Sequence, residues 1–182
     1  MKPIYILIAL FFSLQITAQS PWTKEKGRFF ANLSYSSISD YSEIFSNPDY
    51  NLSGTITDKT HQFYVEYGLT NKTSLLVNIP LKSIDINNFT DPAISCVGDC
   101  SESFSETGFG NITLGLKHNF LKKKWVLSGQ LNMQMNTSTY DETSAIRTGF
   151  DAYTFTPLFM AGTSFGKKYF QSFIGADIRT NN

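Results

Sequence analysis

Beyond residue 18 the sequence has no long apolar run: a helical membrane crossing takes about 20 predominantly apolar residues, and no later stretch approaches that length. Charge is scarce too. Only 16% of residues are charged, against about a quarter in soluble domains, and 15 Lys+Arg balance 15 Asp+Glu. Zero net charge gives no hint of nucleic acid, and no nucleic-acid partner is expected. Cys96 and Cys100 sit in a loop that offers too few further ligands for a metal centre, and neither metal nor organic cofactor is expected. Gly108-Phe109-Gly110 is followed by no helical pattern, so it is not a nucleotide fingerprint.

In place of these features the chain has aromatic residues, at 15%, and a two-residue rhythm. Before that rhythm starts, residues 1–18 carry Lys2, an apolar run from Ile4 to Phe12, and Thr17-Ala18-Gln19. This order is that of a secretory signal peptide cleaved after Ala18, with Ile16 making the cleavage box imperfect. One β domain over residues 19–182 is expected to follow.

The rhythm is clearest from Thr107 to Gln134. Ile112, Leu114, Leu116, His118 and Phe120 alternate with Asn111, Thr113, Gly115, Lys117 and Asn119. After Leu121-Lys122-Lys123-Lys124, Trp125, Leu127, Gly129, Leu131 and Met133 alternate with Val126, Ser128, Gln130, Asn132 and Gln134. Period two predicts strands with one oily and one wet face. The same pattern predicts strands at 27–38, 61–69, 74–84, 153–165 and 169–179, seven in all, with an irregularity at Pro80 because proline donates no ladder hydrogen bond. Residues 50–58 read as an extension of the second strand.

Short connections at 70–72, 121–124 and 166–168 alternate with long polar ones. Tyr67, Phe120, Trp125, Phe165, Tyr169 and Phe170 gather beside the short turns. Short turns on one rim, long loops on the other and an aromatic girdle describe an antiparallel transmembrane β-barrel of the outer-membrane type. A secreted β-sandwich would alternate as well, with its aromatics as core. Bacterial barrels have even strand numbers, so seven strands make this barrel incomplete or open, and either a truncated reading frame or one further strand is expected.

In the barrel reading Arg28, Glu66, Asn78, Lys82, Lys117, Gln130 and Asn132 face inward and line the lumen. Cys96 and Cys100, spaced CVGDC in a loop exposed to an oxidising compartment, are expected to close a small disulfide ring. His61 and His118 fall on the oily face without a nucleophile partner, and no enzymatic activity is expected.

At YGLTNKTSLLVNIPL (Tyr67–Leu81) and TGFGNITLGLKHNFL (Thr107–Leu121) the chain resembles the outer-membrane barrel family associated with phenol meta-pathway degradation clusters. Those proteins share a Tyr-Gly-Leu-Thr turn, an apolar strand ending in proline and a glycine-rich strand start. The resemblance implies a channel for small, often hydrophobic, solutes in the Gram-negative outer membrane, with membrane lipid and the barrel assembly machinery as partners. Two readings stand beside it: a structural or adhesive barrel acting through its extracellular loops, and a secreted ligand-binding β-sandwich.

Overall fold

The computed structural model describes residues 20–44, 50–89, 102–140 and 146–181. The signal peptide at 1–18 and the Cys96–Cys100 ring lie outside the described residues. Nine strands and no helix occur among them: β1 (Phe29–Ile44), β2 (Tyr50–Thr70), β3 (Thr73–Phe89), β4 (Glu102–Phe109), β5 (Thr113–Lys122), β6 (Trp125–Gln134), β7 (Ala152–Phe165), β8 (Lys168–Gly175) and β9 (Ile178–Asn181). All pairings are antiparallel, in the order β1-β2-β3-β5-β6-β7-β8, with β4 also on β3 and β9 also on β7. Nine strands therefore occupy seven positions in one sheet.

Two prolines account for the difference. Pro80 sits in β3 between its pairings with β4 and β5, and the partner chain breaks opposite it, with only Gly110 N–H reaching the Pro80 carbonyl at 2.9 Å. Pro157 does the same in β7. The chain between β8 and β9 breaks opposite it, and Ala176 N–H donates to its carbonyl at 3.3 Å. A strand carrying proline has one acceptor and no donor there, so the irregularity expected within β3 is displaced onto its neighbour.

The sheet separates the residue types by face, row by row. In register across all seven positions lie Ala31, Val65, Val77, Leu114, Met133, Phe155 and Ile178 on the outer face. One residue further along β3, on the opposite face, the pattern reverses: Asn32, Tyr64, Asn78, Thr113, Gln134, Thr154 and Arg179 form an inner row. Every member of the first row is apolar and every member of the second is polar. Large outer side chains stay exposed, among them Leu33, Leu116, Leu131 and Ile174, while Lys117, Asn119, Ser128 and Gln130 on the inner face are buried. Among the described residues no second sheet covers the oily face.

The girdle expected beside the short turns is on the outer face at Tyr67, Phe120, Trp125, Phe165 and Phe170, all exposed. Tyr169 is an exception. It pairs with Ser164 two residues from inward Gly162, and its ring meets Trp22 edge-on at 6.3 Å.

β1, β2 and β3 run on well past the oily band. Residues 39–44 and 102–106, expected to be loop, are mostly strand, and residues 50–58 extend the second strand as expected. The alternation is hidden there because the faces exchange roles. Above His61 and Leu81 the outer positions become Lys59, Ser83, Asp85, Ser105 and Thr107, while Ile56, Ile84, Ile86 and Phe104 turn inward. β1 follows through register shifts after Ile38 and Tyr41, with Asp40 at φ 53°. β1 pairs only with β2, and β8 only with β7, among the described residues, so the sheet is open at both edges.

One polar cluster ties the extension together. The Ser105 hydroxyl at 2.6 Å and the Lys59 ammonium at 2.9 Å hold the Asp85 carboxyl below its ordinary value, and Asp85 in turn raises Lys59. The depressed carboxyl contributes stability above its ordinary pKa of 3.8 and loses it as pH falls through the folded value. The raised ammonium contributes below 10.5 and loses its share as pH rises through the folded value. The extension is thus pinned across neutral pH and loosens at both extremes. In Ser105→Ala, acid-induced loosening, followed by amide exchange in β4, is expected to begin at a higher pH than in the parent chain.

Candidate functional site: the polar inner face and its terminal strap

The inner face encloses a cavity of about 650 Å³. Its middle is an ion pair between the Lys117 ammonium and Glu66 at 3.0 Å, with side chains only 2% and 5% exposed. Neighbouring strands place them there: β3 lies between β2 and β5, and Leu76 of β3 pairs with both Glu66 and Gly115. Gly115 leaves the room that Asn132 Oδ1 fills, and the Gln130 amide donates to that oxygen at 2.8 Å. Tyr64 points its hydroxyl toward Glu66 at 3.4 Å. Asn78 Oδ1 is buried without a hydrogen-bond partner among the described residues, so it is an acceptor facing the cavity.

Five of the residues expected to line the lumen, Glu66, Asn78, Lys117, Gln130 and Asn132, lie on this cavity. Lys82 lies higher on the same face, paired with Asp58 at 2.6 Å. Arg28 is exposed at the short-turn rim, where its backbone carbonyl accepts from Gly68 N–H at 2.9 Å. Phe30, two residues on, reaches the cavity instead. His61 stacks on Tyr35 at 4.8 Å, and His118 bonds Thr73 at 2.9 Å on the outer face. Among the described residues no cluster of metal-ligating side chains forms.

Residues 20–27 form a feature that alternation does not reveal. They cross the inner face at the short-turn end as an extended strap. Pro21 and Thr23 are buried. The Pro21 carbonyl accepts from Asn119 Nδ2 at 2.7 Å and from the Ser128 hydroxyl. Thr23 Oγ1 donates to Asn119 Oδ1, Lys24 N–H donates to Ser74 Oγ at 2.9 Å, and Lys117 donates to the Ser20 carbonyl at 3.0 Å. The wall is shaped for the strap: a Cβ on Gly68 would fall onto the Glu25 carbonyl, and one on Gly162 would run into Pro21 and Trp22. The sequence signal that was available is the pair of inward glycines, positions where a backbone approaches closely.

The arrangement defines an all-β protein built as an open antiparallel barrel sheet, oily outside and polar within. A family model described as "Putative MetA-pathway of phenol degradation" matches residues 60–182, and the chain belongs to that family. No curated protein matches it.

Proposed function

We propose that the chain is the wall of an outer-membrane channel through which small, largely uncharged solutes pass. The observation that carries this reading is the pair of adjacent rows, seven apolar residues outside and seven polar residues inside. That is the reversal a barrel makes when lipid surrounds it and water or solute fills it. The oily stretch of β2 from His61 to Leu69 also fits the about 9–11 residues of a tilted membrane strand. Behind the wall the cavity offers Phe30, Leu76 and Tyr64 beside amides and a neutralised ion pair. Such a lining suits a small molecule with an apolar body and a hydroxyl, in keeping with a family described by phenol degradation. We read this lining as that of a passage and not of a site of turnover.

The test is reconstitution of the full chain into liposomes of outer-membrane lipid, with swelling in isotonic solutions of small neutral solutes. Swelling is expected, and it should fall away as solute size grows. Full insertion with no swelling for any solute would instead favour an adhesive or structural barrel working through its loops.

A further inference from the structure

We propose that residues 20–26 are a gate: a strap that seals the cavity at the short-turn end and must leave its seat for solute to pass. The proposal rests on the channel reading above. Three observations carry it. The strap supplies Ser20 and Lys24 to the cavity lining, so it is the floor of the cavity and not a bystander. Its bonds go to side chains of the wall, Ser74, Lys117, Asn119 and Ser128, all buried beneath it. Removal of the strap would therefore uncover hydroxyl, amide and ammonium groups suited to a wet passage. Finally, the strap joins the sheet through Gly27 at φ +77°, with nothing within 4 Å of a Cβ there. Glycine adopts this conformation without steric cost, and its N–H bonds the Gly68 carbonyl at 2.9 Å, so Gly27 stays on the sheet as the point about which the strap would turn. Signal cleavage after Ala18 would leave the other end free.

The seat is held by wall residues, so it can be disturbed without touching the strap. Gly162→Ala sets a methyl group against Pro21 and Trp22, and Gly68→Ala sets one against the backbone at Glu25. Strap position is read by maleimide labelling of Thr23→Cys, a buried site, in a Cys96→Ser, Cys100→Ser background. Gating is read by single-channel recording in potassium chloride across planar bilayers. Each glycine substitution is expected to raise both labelling rate and open probability by about tenfold or more, and deletion of residues 20–26 should hold the channel open. If Gly162→Ala fails to insert, Gly68→Ala and the deletion give the same comparison.

Faster labelling with unchanged conductance would overturn the gate while leaving the channel standing. So would a parent chain that conducts fully while Thr23→Cys stays protected. Absence of conductance in every inserted variant, the deletion included, would remove the channel reading and the gate together.

Discussion

Leu114→Arg is expected to stop the chain from assembling in a membrane. Leu114 stands in the outer row between Val77 and Met133 and is 40% exposed in the isolated sheet. A guanidinium near the bilayer midplane of a barrel costs roughly 2–4 kcal/mol, a large part of the about 5–15 kcal/mol that holds a typical domain together. The neighbours in that row are apolar, so no carboxylate in the row offsets the charge. Leu131→Arg, on the same face at 53% exposure, should behave alike, whereas Ser83→Arg, on the outer face above the oily band, should be tolerated. The check is the heat-modifiable folded band of each variant in outer-membrane fractions. Normal accumulation of Leu114→Arg would mean that this face does not meet lipid.

The second large effect is expected at the ion pair. Glu66→Gln leaves the Lys117 ammonium buried with the Ser20 carbonyl and a neutral amide in place of a carboxylate. Breaking a buried pair from one side typically costs about 3–5 kcal/mol, because the remaining charge is uncompensated. Urea unfolding in lipid vesicles should show that loss, and the double variant Glu66→Gln, Lys117→Gln should recover much of it. The conductance has a direction as well. An unpaired cation in the lumen attracts anions, so Glu66→Gln channels should shift toward anion selectivity and Lys117→Gln channels toward cations. A single variant as stable as the parent, with unchanged selectivity, would mean that the pair lies off the path and is wetted in the folded state.

Period two is a local property, and what depended on it was legible without a structure. Leu114 and Leu131 could be assigned outward, Glu66 and Lys117 inward, because successive side chains in any strand must alternate. The turns at 70–72, 121–124 and 166–168, the extension of β2 through residues 50–58, and a disturbance at Pro80 followed from equally local chemistry. The alternation faded in residues 39–60 and 102–106, where the surroundings change: beyond the oily band the apolar side chains of Ile56, Ile86 and Phe104 turn inward.

Tertiary structure alone decided which inward residues meet. Glu66 and Lys117 are far apart in sequence and on strands that are not neighbours; only the register of β3 with both β2 and β5 brings them together. Pro157 breaks the strand beside it, an effect visible only once β8 and β9 are paired to β7. The strap is the strongest case. Ser20 to Lys24 have no periodicity to read, and their partners, Ser74, Lys117, Asn119 and Ser128, come from three different strands. The sequence by itself determined the faces, since alternation needs only neighbouring residues. Register across the sheet decided what those faces enclose, because pairing joins residues that the chain keeps far apart.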